Sequence, residues 1–159
     1  MTDDKLKSPA ALSELRDAME AEGRRMVFTN GCFDLLHVGH VRYLQAAWEL
    51  GDALVVAVNG DDSVRALKGE GRPINCEADR AEVLAALECV DYVTVFPDMR
   101  VTSLLRTIRP QVYAKGGDYT VESLDPEERG VLEEVGAEIV ILPLVPGRST
   151  TRIIESWQN

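Results

Sequence analysis

Histidine is nearly absent from this 159-residue chain: there are only two, His37 and His40, and they lie three residues apart. Cysteine is sparse as well. Cys32, Cys76 and Cys89 are odd in number and nowhere spaced as C-x-x-C, which excludes a disulfide framework and makes reduced thiols in a cytoplasm the expectation. Two histidines and three scattered cysteines also give no recognisable zinc-ligand spacing. No apolar run is long enough to span a bilayer. The N-terminal MTDDKLKSPA lacks a signal peptide's cationic region and apolar stretch, so the expectation is a cytoplasmic protein without a membrane partner. Positive charge is in deficit, with a formal net charge of -10, which argues against a sequence-independent nucleic-acid binder. The deficit does not exclude a small anionic substrate, because a few cations converging in one cleft set the local potential and a divalent metal can arrive with a nucleotide. Internal repeats and low-complexity segments are lacking too. The length suits a single domain over residues 1–159, with residues 1–24 as an N-terminal helical extension.

What is present alternates between short apolar runs and helical patterns. Ser8-Pro9 reads as a helix start, with Leu12, Leu15 and Met19 on one face and Gly23 as the stop. The run at residues 26–28 precedes a polar-to-apolar loop over 29–40, then a helix over about 41–50 halted by Gly51. Residues 53–58 (ALVVAV) read as a strand covered on both faces. Asp61 and Asp62 read as helix caps, and Lys68-Gly-Glu-Gly-Arg-Pro73 as a loop. A helix over about 77–88, a strand over 92–96, a helix over 101–108 and a strand over 112–114 follow. Asp125-Pro126 opens another helix, Gly136 ends it, residues 138–142 form a last strand, and a short helix begins near Ser149. Trp48 and Trp157 are expected to be packing residues. This alternation implies an α/β fold with a parallel sheet and helices on both faces. The informative loops all follow strands, where ligands collect in such sheets, so one shared site is expected at their carboxyl ends.

His37-Val38-Gly39-His40 is the sharpest signal. At about 2 % His and about 7 % Gly, H-x-G-H arises by chance in under about 1 % of chains this long. Near a helix N-terminus two imidazoles can donate to phosphate oxygens, Gly39 lets the backbone approach, and the helix dipole favours negative charge. A helix-capping or core pair is the plainer alternative. Gly147-Arg148-Ser149-Thr150-Thr151-Arg152 opens the final helix, where hydroxyls and free amides can hold a triphosphate tail and Arg148 or Arg152 can neutralise it. Alone it could equally be an ordinary cap. In the loop 68–73, Gly69 and Gly71 free the backbone while Lys68 and Arg72 can close over an anion, so a segment that orders on binding competes with a solvated connection. Lys115-Gly116-Gly117-Asp118 follows a strand, so Lys115 can reach phosphate and Asp118 a sugar hydroxyl. Arg80 shares a helical stripe with Val83, Leu84 and Leu87, which calls for an anionic partner: substrate phosphate, an internal carboxylate or a subunit contact.

Phe28-Thr-Asn-Gly-Cys-Phe-Asp-Leu-Leu-His-Val-Gly-His40 together with Arg148-Ser-Thr-Thr-Arg152 resembles the cytidylyltransferase-like branch of the nucleotidyltransferases. Within it, Val58-Asn-Gly-Asp-Asp-Ser-Val64, residues 67–73, Lys115-Gly-Gly-Asp-Tyr119 and residues 144–151 are most similar to bacterial heptose-phosphate adenylyltransferases, in their stand-alone form. The resemblance runs from about residue 25 to the C-terminus. It implies a Rossmann-like sheet of five parallel strands in the order 3-2-1-4-5. It also implies transfer of AMP from ATP to D-glycero-β-D-manno-heptose 1-phosphate, giving ADP-heptose, a lipopolysaccharide core precursor, and pyrophosphate. Mg²⁺ is expected with the ATP, held by phosphates and water, with no protein metal ligands.

On this reading His37, His40, Lys68 and Lys115 form the catalytic set. Nucleotide binding falls to Thr29, Asn30, Gly31, Cys32 and Phe33 of the first loop, to Gly39 and Asn59, and to Arg148, Ser149, Thr150 and Thr151. Arg72, Arg80, Gly116, Gly117 and Asp118 are expected at the sugar phosphate. A phosphate monoester oxygen is already nucleophilic at neutral pH, so catalysis would consist of positioning and charge stabilisation. CTP with a polyol phosphate, ATP with flavin mononucleotide and a non-catalytic ATP-sensing module are the rival readings, and a homo-oligomer is compatible with the sequence.

Overall fold

The structure, a computed structural model, describes residues 1–117, 119–143 and 149–158. The apolar runs become β1 (Met26–Gly31), β2 (Ala53–Asn59), β3 (Tyr92–Phe96), β4 (Val112–Gly116) and β5 (Glu138–Leu142). They pair in parallel throughout, in the order β3-β2-β1-β4-β5, as the resemblance implies. Before, between and after them lie α1 (Pro9–Ala21), α2 (Val38–Trp48), α3 (Asp61–Lys68), α4 (Glu77–Ala85), α5 (Thr102–Ile108), α6 (Pro126–Val135) and α7 (Thr150–Gln158).

Side chains alternate across a strand, so each strand contributes to two cores. Met26, Phe28, Val55 and Tyr113 meet Leu12 and Met19 of α1, Leu105 and Ile108 of α5, and Val131 and Leu132 of α6. Val27, Val56, Val58 and Val112 face the other way, onto Leu44 and Ala47 of α2 and Ala81 and Leu84 of α4. The chain order reverses between β1 and β4, and the loop carrying both histidines leaves β1 at that point.

Several element boundaries differ from expectation. Helix α2 begins at Val38, inside the histidine motif, because His37 itself caps it. Helix α3 starts at Asp61 and runs through Lys68, taking in the first residue of the stretch 68–73 read as a loop. Its N-cap is Gly60, without a side-chain cap, so Asp61 and Asp62 sit in the first turn and are not the caps expected of them. Trp48 and Trp157 are 44 % and 68 % exposed, so neither fills the core.

Arg80 resolves differently from two of its three readings. Its residue is 1 % exposed, which rules out a subunit contact, and its guanidinium is spent inside the protein. Nε donates to Asn75 O (2.9 Å), Nη1 to Cys32 O and Asn59 O (2.7 Å each), and Nη2 to Asp61 Oδ1 (2.9 Å). Arg80 therefore ties the ends of β1 and β2 to the starts of α3 and α4, and the assignment to substrate phosphate gives way to the internal carboxylate. Replacing a buried, fully paired cation by an apolar group leaves three carbonyls without their donor. Arg80→Met should cost about 3–5 kcal/mol of unfolding free energy by urea denaturation. A loss below about 1 kcal/mol, the level of an exposed ion pair, would mean that water replaces the guanidinium.

Candidate active site

The turn after β1 is tight. A Cβ on Gly31 would meet the Phe33 ring at 2.9 Å, and Phe33 itself adopts φ +47°, a conformation costly for a bulky side chain. Next to it the buried carboxylate of Asp34 accepts from Arg72 Nε (2.8 Å) and from the amides of Ile74 (2.8 Å) and Asn75 (2.9 Å). Asn75 Nδ2 returns a bond to Asp34 O at 2.9 Å. Burial alone would raise the Asp34 pKa, but the two amides and the guanidinium outweigh it and hold the carboxyl below its ordinary value. The loop 69–76 is thus pinned at its far half, which confines the expected freedom to the turn around Gly69 and Gly71. Arg72 lines the cavity, but Asp34 already holds it.

The two histidines form a reciprocal cap. Gly39 N–H donates to His37 Nδ1 (3.1 Å) and His37 N–H donates to His40 Nδ1 (3.3 Å), with ring centroids 3.9 Å apart. A ring nitrogen that accepts from an amide carries no proton, so in each neutral imidazole the hydrogen resides on Nε2. Burial, with His37 as a lesser cause, lowers the His40 pKa from 6.5 to about 4. Two Nε2–H donors thereby stand at the N-terminus of α2, so capping and anion donation are complementary readings of one arrangement.

Both rings open onto a cavity of about 690 Å³ at the carboxyl ends of the strands. Asn30, Gly31, Cys32, Phe33, Gly39 and Asn59 of the expected nucleotide set lie on its wall. Ser149, Thr150 and Thr151 reach it from α7, where Ser149 Oγ accepts from Arg152 N (3.0 Å). The Thr150 hydroxyl donates to Leu35 O at 2.6 Å, so its side-chain proton holds the histidine loop and is not available to phosphate. Lys68 lines the cavity from the end of α3, and Lys115 and Gly116 from the end of β4.

Two expected contacts are placed elsewhere. Thr29 is 1 % exposed, inside the sheet, and shares a hydrogen bond with the Tyr43 hydroxyl (2.7 Å), because alternation turns it toward α2. Gly117 N donates to Leu142 O (3.2 Å), which binds β4 to β5, and the residue is not on the cavity wall. Arg148 and Asp118 lie outside the described residues. Residues not singled out from sequence include Asp34, Tyr43, Arg100 and Glu128, all on the wall. Asp34 stands within the loop motif itself, while Glu128 comes from α6, whose approach depends on sheet order and leaves no local pattern.

The Cytidylyltransferase-like family model matches residues 28–156. The chain belongs to the cytidylyltransferase-like family. Similar relatives include the "Bifunctional protein HldE" of Geotalea uraniireducens, 51 % identical over 154 residues, and that of Geobacter sulfurreducens, 50 % identical over 153. These alignments cover 97 % and 96 % of this chain but only 31 % of each relative, so the chain spans about a third of their length. A solved structure, the lipopolysaccharide core biosynthesis protein from Thermoplasma volcanium GSS1, matches with TM-score 0.64 and 27 % identity over 77 % of this chain and 98 % of that one. The cytidylyltransferase-like match begins after α1, yet Leu12 and Met19 of that helix are buried in the shared core.

The state of His40 can be tested directly. Its folded pKa of about 4 lies below the ordinary 6.5, so between those values the unfolded chain binds the extra proton. The resulting stabilisation is present above pH 6.5 and is lost as pH falls toward 4. NMR titration should show His40 neutral down to about pH 4, and the acid loss of stability should shrink in His40→Asn. Titration of His40 near 6.5 would contradict the buried-cap geometry.

Proposed function

We propose that the protein is a nucleotidyltransferase that moves AMP from ATP to D-glycero-β-D-manno-heptose 1-phosphate. The observation that carries this reading is the convergence of the His37–His40 cap, the Ser149–Thr151 turn and the cations Lys68 and Lys115 on one cavity. A phosphate oxygen of the acceptor forms a bond to the α-phosphorus of ATP as the bond from that phosphorus to the bridging oxygen breaks. Pyrophosphate leaves with that oxygen, and no protein nucleophile or general base is required. The two Nε2–H groups donate to the α- and β-phosphates as charge spreads over them, at no cost in reorganisation because the cap holds both rings beforehand. Ser149 and the first turn of α7 hold the phosphate tail, and Lys68 and Lys115 gather the second anion. The heptose and the adenine base come to the proposal from the resemblance to heptose-phosphate adenylyltransferases.

Mg²⁺ belongs with the triphosphate. Among the described residues no group of three or more His, Cys, Asp or Glu side chains is placed to hold a metal. The wall carboxylates Asp34, Asp125 and Glu128 each accept from protein donors. These side chains do not build a cage, and an ion held by phosphates and water would serve to neutralise charge. Among the described residues no helix is long and apolar enough to cross a membrane. Cys32, Cys76 and Cys89 are free thiols, and we place the reaction in the cytoplasm.

Pyrophosphate release measured across ATP, CTP and GTP against heptose 1-phosphate, glycerol phosphate and flavin mononucleotide is the decisive experiment. ATP with the heptose phosphate should be the best pair. Preference for CTP with a polyol phosphate would replace the substrates and leave the chemistry. His40→Ala should lower turnover with the best pair by about 10²–10³ while the fold is retained. Lys68→Ala should raise KM for the acceptor more than for ATP, and near-normal kinetics in both variants would remove these residues from the mechanism.

A further inference from the structure

Alternation along β4 sends Tyr113 and Lys115 to the same face, toward α6. There the Tyr113 hydroxyl donates to Glu128 and lies 2.9 Å from Asn30 Oδ1. The Tyr113 ring is fixed by stacking on Phe28, with centroids 6.2 Å apart. Glu128 Oε1 also lies 3.7 Å from Lys115 Nζ, an ion pair longer than a hydrogen bond. The lysine rests over the Tyr119 ring at 5.0 Å. Its ammonium is therefore held by a carboxylate and an aromatic face, and among the described residues its Nζ donates no hydrogen bond. Glu128 is locked by a buried hydroxyl, its side chain only 12 % exposed, whereas Lys115 is 23 % exposed on the cavity wall. Burial first, then the Glu128 charge, hold the Tyr113 pKa well above 10, so the lock stays a donor at any working pH.

We propose that Glu128 is a positioning residue that sets where Lys115 presents its charge to the substrate, with Tyr113 locking the carboxylate for that duty. The proposal rests on the transfer reading only in taking Lys115 to meet a substrate phosphate. The carboxylate has two opposed effects. It holds the ammonium at a fixed place, which favours the transition state, and it partly neutralises that ammonium, which weakens binding of an anion in the ground state. Glu128→Gln keeps the shape and an acceptor for Tyr113 while removing the charge. It should tighten the ground-state complex and slow the reaction together, a split that loss of packing does not produce.

The test is a cycle of wild type, Glu128→Gln, Lys115→Met and the double variant, read by pyrophosphate release with the best substrate pair. KM for whichever substrate Lys115→Met weakens should fall about three- to tenfold in Glu128→Gln, and kcat should fall about tenfold. Neither change should appear when Lys115 is already methionine. A raised KM in Glu128→Gln, additive effects in the double variant, or kinetics equal to wild type would each overturn the proposal. Should Glu128→Gln fail to fold, Tyr113→Phe, which keeps the ring on Phe28 and the Glu128 charge but releases the carboxylate, should lower kcat without lowering KM and only while Lys115 is present, and kcat equal to wild type counts equally against the idea. Wild type that releases pyrophosphate with no acceptor sinks the transfer reading separately. The pair is then read by calorimetric titration with ATP and with inorganic pyrophosphate, where Glu128→Gln should bind one of them more tightly only if Lys115 is present.

Discussion

The carboxyl edge of the sheet depends on one buried guanidinium. Cys32, Asn59 and Asn75 lie on three separate stretches, 31–40, 59–62 and 74–77, and each turns one backbone carbonyl toward Arg80. Arg80 supplies the donors to Cys32, Asn59 and Asn75, and its charge is balanced by Asp61 at 2.9 Å. An ion so placed is costly to bury unless every bond is made, which is why its geometry fixes all three segments at once. Asp34 extends the same frame with opposite sign, holding Arg72 and the amides of Ile74 and Asn75. The histidine loop is attached to this frame through Phe33 and Asp34, so the groups on the cavity wall inherit their positions from charges paired within the protein.

Capping occupies one nitrogen of each imidazole at the start of α2 and leaves the other to donate. The Nδ1 atoms of His37 and His40 accept amide protons that a helix start would otherwise leave without partners. That choice places both remaining imidazole protons on Nε2, and burial keeps His40 neutral to about pH 4. A neutral His40 binds anions less strongly than a cationic one would, and its donor stays unchanged as pH crosses the ordinary histidine range. Stronger charge is supplied at the periphery of the cavity by Lys68, Arg100 and Lys115, within a chain of net charge -10. Among the described residues the wall carboxylates Asp34, Asp125 and Glu128 pair with Arg72, Arg100 and Lys115, so Lys68 leaves the wall with an excess of one positive charge.

The parts legible in the sequence were those with local causes. Valine-rich runs bounded by glycine and proline announce buried strands, and Asp125-Pro126 and Gly136 bracket α6 as expected. His37 and His40 were legible because spacing within one turn is a local property. Arg80 was half legible: a guanidinium on an apolar stripe announces a buried partner, but its acceptors come from residues up to 48 positions away. Thr29 was misplaced because the loop was read as starting where β1 still continues, and a strand residue alternates faces. Glu128 was illegible for a related reason, since it reaches Lys115 only after α6 has packed beside β4. Helix α3 was announced by Asp61 and Asp62 but its bounds were not, because its polar, charge-rich sequence resembles the loop that follows it and its support from Arg80 comes from another segment.

Strand alternation also divides the cavity's chemistry. Thr29 turns toward α2 and bonds Tyr43, while Asn30, one residue later, turns toward Tyr113 and Glu128. The α2 side therefore offers neutral imidazole donors and a helix start, suited to phosphate oxygens whose charge grows during transfer. The α6 side offers a lysine, a carboxylate and a tyrosine, a set that can hold a full negative charge and also meet hydroxyl groups. Gly116 sits at the boundary, where a Cβ would meet the Tyr43 ring at 3.0 Å, so β4 can end against α2 only without a side chain. Two chemically unlike surfaces reach one cavity because the sheet is a single layer with different helices on each face. An enzyme that must bring two anions together gains from that division, since each anion can be met by a different kind of donor without the two sets neutralising one another.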